Sequence, residues 1–318
     1  MNRTIPRRPI PILTHNRFGI SMVEVLVSIA IVGILFAISV QAVQSARAVA
    51  RKSQCANNLR QIGIALTGAA EQDGLFPTDR YCFVKLMPFL DMQEAYDAHR
   101  NMTLRPPLNV PWMECPEEGN HAPGIAQPSY MVNDGSRFRR KPPGHSSDNQ
   151  QNGFRSANRE GTRPSEFSDG LSNTAAFSER IHTPQVLYVA DSPVAPQHYL
   201  WYTEQRFLEP GTESQAIEQC RSHRTSPDPV SDSLHKVGLE LNDPGYDHFL
   251  PPNQIGCYNG PNDFEFQAWH SLIPPTSHHA GGVNVLFADG AVHFIHSGIS
   301  TDPWHAMGSR DANDLVTF

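Results

Sequence analysis

Residues 17–40 read RFGISMVEVLVSIAIVGILFAISV, and this stretch decides how the rest of the chain is read. A polar start, Arg17-Phe18-Gly19, gives way to an apolar run over residues 20–40 that carries one charge, Glu24. About 21 residues in a helix span roughly 30 Å, the thickness of a bilayer's hydrocarbon. A carboxylate placed near one end of such a segment is costly in lipid and therefore marks function. Upstream, Arg3, Arg7, Arg8 and Arg17 have no acidic partner, and Pro6, Pro9 and Pro11 forbid a regular helix. The arginine-rich lead-in sets an N-in, C-out orientation, so everything after about residue 40 is expected outside the cytoplasm.

The rest of the composition fits an exported, loop-rich, β-containing domain. The chain has 318 residues with 27 Pro and 22 Gly, 39% hydrophobic and 18% charged, and a formal net charge of -7. Without the four leader arginines the charge becomes -11 (-7 minus 4). An acidic body of this kind is a poor nucleic-acid binder. The five cysteines, Cys55, Cys82, Cys115, Cys220 and Cys257, can oxidise outside the cytoplasm. None forms a C-x-x-C pair, which removes the zinc-ribbon and thioredoxin readings. Five is odd, so at least one stays outside any intramolecular disulfide.

Three readings of the apolar run compete: a plain membrane anchor, a secretory signal cut near Val40-Gln41-Ala42, and a prepilin-type signal cut between Gly19 and Ile20. The secretory reading suffers from an over-long apolar region containing Glu24. Gly19, then Ile20, three residues, then Glu24 resembles the type IV prepilin pattern, with Ile20 where that family usually has Phe. The resemblance implies cleavage and N-methylation by a prepilin peptidase/N-methyltransferase. Ile20 then becomes the new N-terminus, one helical turn from Glu24. A carboxylate beside an ammonium in a low dielectric is strongly stabilised. In pilin-like proteins the ammonium belongs to the neighbouring subunit, so Glu24 would register subunits.

Past the apolar run the helical pattern continues. Cys55, Leu59, Ile62, Leu66 and Ala69 recur at spacings of 4, 3, 4 and 3, one apolar stripe. Arg51, Gln54, Asn57, Asn58, Arg60 and Gln61 fall on the opposite face, and Gly74 with Pro77 ends the helix. A helix over residues 20–73 is about 80 Å long. This divides the chain into a leader (1–19), a transmembrane half-helix (20–41), an amphipathic half-helix (42–73) and an extracytoplasmic β-rich domain (74–318). The stripe points Cys55 at that domain.

Within the domain, residues 83–90 and 93–100 read as short elements, and residues 187–190 and 199–202 as strands. Residues 136–166 are basic and low-complexity, with Arg137, Arg139, Arg140, Lys141, Arg155, Arg159 and Arg163. A solvated loop is the plain reading and a polyanion-binding surface the sharper one. Asp169, Ser172 and Asn173 could offer oxygens to Ca²⁺, but turn chemistry accounts for them. Connectivity is not fixed by spacing; the pairing expected is Cys55 with Cys115 and Cys220 with Cys257, leaving Cys82 over.

Near the C-terminus, two β-rich runs flank Asp289-Gly290, a strong hairpin signal that favours a two-residue type I′ turn. Val283, Val285 and Phe287 share one face, with Val292 and Phe294 available to meet a core. His279, nine residues, then Asp289-Gly290 resembles the H-x9-D-G signature of prepilin-type proteins of the family called domain of unknown function 1559. The block 54–63, Cys115-Pro116, the 169–174 block with Glu179, and Pro252-Asn253 before Cys257 fit the same family. His279, Asp289, His293 and His296 invite a metal reading, but His293 and His296 are three apart on a strand and face opposite ways. No Gly-x-Ser-x-Gly or His-Glu-x-x-His motif occurs. No catalytic residue, metal or cofactor is therefore assigned, and His279 is expected to hydrogen-bond across the base of the hairpin.

The expectation is an α+β, pilin-like fold: a long N-terminal helix packed on an antiparallel β-rich domain, single-pass in the bacterial inner membrane, with that domain in the periplasm or at the cell surface. The expected role is a minor pilin or pseudopilin-like subunit of a type IV pilus or type II secretion-type system, its partners the processing enzyme and other pilin-like subunits. The alternative is a membrane-anchored extracytoplasmic binding protein, with carbohydrate as the candidate ligand, that does not polymerise.

Overall fold

A computed structural model describes residues 19, 21–79, 81–100, 113–118, 128–137, 152–155, 161–181, 195–207, 212–227, 245–261 and 271–312. The chain forms two units, residues 1–49 and 50–318. Helix α1, Met22–Asp73, runs through both. It contains no proline, so 52 residues propagate without a break. In its apolar half the Ser28 and Ser39 hydroxyls donate to the Glu24 and Leu35 carbonyls four residues back, which leaves neither hydroxyl orphaned. The helix stops at Gly74, whose φ of 71° is open to glycine and whose N–H donates to the Ala70 carbonyl. The apolar residues before Val49 are exposed, and among the described residues α1 alone is long and apolar enough to cross a membrane.

From Cys55 onward α1 is half-buried. Cys55, Leu59, Ile62, Leu66 and Ala69 are all 2% exposed or less. Asn58, assigned from its polarity to the outer face, is also buried, and its Nδ2 donates to the Glu114 carbonyl at 2.9 Å. It lies one turn before Ile62, at the edge of the stripe, and the helix seam takes it in.

The second unit is α+β. Helix α2 (Cys82–Leu86), a 3₁₀ turn (Met87–Leu90) and α3 (Gln93–Arg100) follow α1. Strands β1 (Tyr130–Asn133), β2 (Ala175–Glu179), β5 (Gly245–Tyr246), β8 (Gly282–Phe287) and β9 (Val292–His296) make a sheet in the order β5-β1-β2-β8-β9. Strands β3 (Leu200–Thr203), β4 (Arg224–Pro227), β6 (Gly256–Tyr258) and β7 (Ser271–Leu272) make a second sheet, β4-β3-β6-β7. Helices α4 (Glu213–Ser222) and α5 (Thr301–Gly308), with short 3₁₀ turns at Pro164–Glu166 and Pro196–His198, complete the described elements. Most pairings are antiparallel, but β1–β5 and β3–β6 are parallel, so both sheets are mixed. Each parallel pair is separated by more than fifty residues of chain, ample for the crossover that parallel pairing requires.

Strand β8 lies inside the sheet, between β2 and β9, and is buried on both faces. Leu286 and Ala288 pack with α1, Phe83, Phe154 and Phe177. Val283, Val285 and Phe287 face the other way, with Trp304, Tyr202 and Tyr246. A third cluster joins α4 to β6 and β7 around the Cys220–Cys257 disulfide. On β9 the core residue is Ile295, 6% exposed. Phe294, expected to meet a core, is partly exposed instead, with Lys52 Nζ 3.0 Å from its ring centroid.

The β8–β9 turn is not the two-residue type I′ turn expected. Type I′ needs positive φ at two successive residues, and here Gly290 alone has it, at 88°. Phe287 and Ala291 still pair, Gly290 N–H donates to the Phe287 carbonyl, and Ala288-Asp289-Gly290 form a three-residue loop. Asp289 is exposed and its Oδ1 accepts from the Ala291 N–H.

In the basic segment, Arg155 is mostly buried and pairs with Asp134 at 3.2 Å, so it does not belong to a solvated loop. Arg137 reaches Asp311 at 3.5 Å. Arg139, Arg140, Lys141 and Arg159, and the strand expected at 187–190, lie outside the described residues.

Candidate functional site

At the start of α1, Ser21 is the last residue outside the helix. Its hydroxyl accepts the Val23 N–H at 3.3 Å, and Glu24 Oε2 accepts the Ser21 N–H at 2.8 Å. The Glu24 bond is the reciprocal half of a capping box, and the hydroxyl caps the second helical N–H in place of the third, so helix-end donors are satisfied from both sides. The signal Ser21-x-x-Glu24 is present in the sequence, beside the prepilin pattern and the charge that single out Glu24. Glu24 is exposed, as is Gly19, which has open space where a Cβ would sit. Ile20 lies outside the described residues.

The second constellation is buried. Disulfides join Cys55 to Cys115 and Cys220 to Cys257, with Cα–Cα distances of 5.0 and 5.7 Å. Cys82 is buried and belongs to neither. The first disulfide ties α1 to the 113–118 turn. Beside it stand Glu179, at the end of β2, and His279, just before β8. His279 Nε2 lies 3.1 Å from Glu179 Oε1 and 3.8 Å from Cys115 Sγ. Both side chains are 2% exposed. Asn284 clamps the carboxylate: its backbone N–H donates to Oε2 at 2.8 Å and its Nδ2 to Oε1 at 2.7 Å. Because Oε1 is an acceptor, His279 presents Nε2–H to it, an assignment made from the bonding pattern.

Local structure fixes each member. The Cys115 N–H donates to Ser129 Oγ at 2.9 Å, and the Tyr130 phenol donates to the Cys55 carbonyl at 3.3 Å. Burial pushes the Tyr130 phenol well above its ordinary range, and the Glu179 carboxylate pushes it further. The segment carrying His279 is tied down by Asn253, in the left-handed region at φ 63°. Asn253 Oδ1 accepts the Ser277 N–H, its Nδ2 donates to Ser297 Oγ, and Ser277 Oγ accepts the His279 N–H.

His279 and Asp289 are thus at opposite ends of one hairpin. Gly282 pairs with His296 near the base and Leu286 with Val292 near the tip. The structure brings His279 to Cys55, Cys115 and Glu179, not to Asp289 or His293. Glu179 is a hundred residues from His279, and nothing in local spacing linked them. Asp169, weighed for Ca²⁺, is buried, and its Oδ2 accepts from Ser309 Oγ and the Ala312 N–H, each at 3.0 Å.

Comparison with known proteins gives two matches. The family described as "protein of unknown function (DUF1559)" matches residues 44–302, and the prokaryotic N-terminal methylation motif matches residues 14–40. No curated protein and no solved structure matches. The longer match covers the lower part of α1, both sheets and the buried cluster; the shorter covers Gly19, Ile20 and Glu24. A prepilin-like N-terminus thus leads into a disulfide-bonded α+β domain, and the chain belongs to the DUF1559 family of proteins of unknown function.

Proposed function

We propose that this chain is a non-enzymatic, prepilin-like structural subunit, a minor pilin or pseudopilin-like component of a type IV pilus or type II secretion-type system. The observation that carries the reading is the methylation motif over residues 14–40, which sets Gly19 and Glu24 at the head of an exposed apolar helix. In this reading a prepilin peptidase/N-methyltransferase cuts after Gly19 and methylates Ile20. The helix stays in the inner membrane with its N-terminus toward the cytoplasm, and the β-rich domain lies in the periplasm or at the cell surface.

Glu24 then has two tasks. In the precursor it caps α1 through the Ser21 N–H. In the mature subunit its carboxylate lies within reach of an ammonium at residue 20, its own or a neighbour's, in a medium where such a pair is strong. His279 and Asp289-Gly290 serve the domain as structural devices at the two ends of one hairpin.

Mass spectrometry of the native N-terminus tests the reading. N-methyl-Ile20 is the expected first residue. An intact leader, or a first residue after Ala42, rejects it. The rival reading, an anchored binding protein that does not polymerise, predicts indifference of subunit association to Glu24.

A further inference from the structure

The Cys55–Cys115 disulfide and the two side chains beside it carry the ligand types that zinc proteins use. Cys55, Cys115, Glu179 and His279 are all buried, and their ligand atoms lie within 4.8 Å of one another. Thiolate, imidazole and carboxylate are the three ligand types of Zn²⁺, and four of them close a tetrahedral structural site. With metal–ligand bonds of about 2.0–2.3 Å, ligand atoms in such a site stand about 3.3–3.8 Å apart. His279 Nε2 is already 3.1 Å from Glu179 Oε1 and 3.8 Å from Cys115 Sγ.

A disulfide alone gives no reason for this company. Two sulfurs closing a loop against an apolar wall need no partners, whereas a carboxylate taken out of water is expensive unless hydrogen-bonded or metal-bound. Here the carboxylate and imidazole stand against the sulfurs, and their supports are in place. Asn284 orients Glu179 with two donors. Ser277 fixes the His279 backbone, and Ser129 and Tyr130 fix the backbones of Cys115 and Cys55. Ligand-orienting contacts of this kind mark built metal sites.

We propose that this cluster is a redox-gated site for a thiophilic divalent cation of the zinc class, open in the dithiol state and closed by the disulfide. Opening takes two electrons and two protons from a dithiol reductant: the S–S bond breaks, the protein gains two thiols, and the reductant becomes a disulfide. The cation then binds Cys55 Sγ, Cys115 Sγ, His279 Nε2 and a Glu179 oxygen. Two thiol protons leave to solvent. The imidazole stays neutral by carrying its proton on Nδ1, and the metal replaces the Nε2 proton that now faces Glu179. Oxidation by a disulfide donor re-forms the S–S bond and expels the cation. In either state α1 is tied to the 113–118 turn and to the β8 side of the sheet, by a covalent bond or by a metal.

The test uses the full chain in detergent. Protein treated with a phosphine reductant, and untreated protein, are each given Zn²⁺, desalted and counted for metal by mass spectrometry. Reduced protein is expected to hold about one Zn²⁺ per chain and oxidised protein less than about a tenth of that. Co²⁺ in place of Zn²⁺ should give thiolate charge-transfer absorption and the intense visible bands of a tetrahedral site. In the reduced state His279→Ala or Glu179→Gln should weaken binding about 10- to 100-fold or more. Cys220→Ser combined with Cys257→Ser should leave it unchanged. A measurement on the wild type needs no folded variant: Zn²⁺ should protect Cys55 and Cys115, but not Cys220 and Cys257, from alkylation. Reduced protein without stoichiometric zinc overturns the proposal, as does zinc that fails to protect those two thiols.

Discussion

Gly63 of α1 lies directly over Gly290 in the β8–β9 loop. A Cβ at residue 63 would meet Gly290 Cα at 3.2 Å and Leu286 Cδ1 at 2.9 Å. Two glycines facing each other let the helix backbone descend onto the hairpin tip. Gly290 is also held in the left-handed region, so the same residue serves the turn and the contact.

Gly63→Val tests that contact. Removing a helical glycine gains up to about 1 kcal/mol in propensity, but the branched side chain has nowhere to go against backbone. Overpacking of this kind costs about 1–3 kcal/mol. A net loss of stability in urea unfolding is expected, and an unchanged or raised midpoint would show that α1 does not bear on the turn.

Glu24→Gln and Glu24→Ala separate capping from charge. Glutamine can still accept the Ser21 N–H, since a capping box admits Glu or Gln, but it carries no charge for an ammonium at residue 20. Both variants should insert in the membrane, and both should lose association with pilin-like subunits in a crosslinking or pull-down assay. If Gln keeps wild-type association, the carboxylate's charge is not what subunits read.

His279→Ala removes the buried partner of Glu179 and leaves a hole beside the disulfide. Under oxidising conditions a loss of about 2–4 kcal/mol is expected, read as a lower melting temperature with the metal content unchanged. Stoichiometric metal in the oxidised wild type that disappears in this variant would instead make His279 a ligand in the disulfide state.

Stability should fall as the medium is acidified below about pH 6.5, the ordinary value for His. His248 is buried; its Nδ1 donates to the Trp304 carbonyl at 2.7 Å, its Nε2 faces the Tyr246 hydroxyl at 3.2 Å, and its ring stacks on Trp304 at 3.9 Å. Burial pushes its pKa down to about 3, against the smaller upward pull of that carbonyl bond. The unfolded chain therefore binds a proton that the folded one refuses. The contribution is complete above pH 6.5 and drains away toward about pH 3, with a slope of up to about 1.4 kcal/mol per pH unit. His198, lowered to about 4 by burial and then by nearby His278, adds in the same direction. Urea midpoints at several pH values should show this slope shallower in His248→Gln. An equal slope in variant and wild type would place the acid sensitivity elsewhere.

The legible parts of the sequence were those written in local periodicity. The apolar run and the stripe from Cys55 to Ala69 are helix patterns, and both lie on α1. Asp289-Gly290 marks where the chain turns, although the loop is one residue longer than the dipeptide suggests, because Asp289 keeps a negative φ. What was not legible depends on tertiary placement. Asn58 and Arg155 look like surface residues until the seam and Asp134 take them in. Glu179 finds His279 across a hundred residues, a contact that no window of sequence contains. The parallel pairings of β1 with β5 and β3 with β6 are hidden for the same reason.

The placing of the first disulfide has a mechanical consequence. Tension travelling down α1 from the residues before Ala50 meets the buried stripe at Cys55, its first member. A covalent bond stands there, ahead of Leu59, Ile62, Leu66 and Ala69. Beyond the Arg51–Glu117 and Lys52–Phe294 contacts the helix cannot be peeled from that end one contact at a time, because the sulfur bond must part before the first leucine moves. With that bond opened and no metal in its place, the same pull would work on side-chain contacts singly, and the force the domain withstands would fall to that of one side-chain contact at a time.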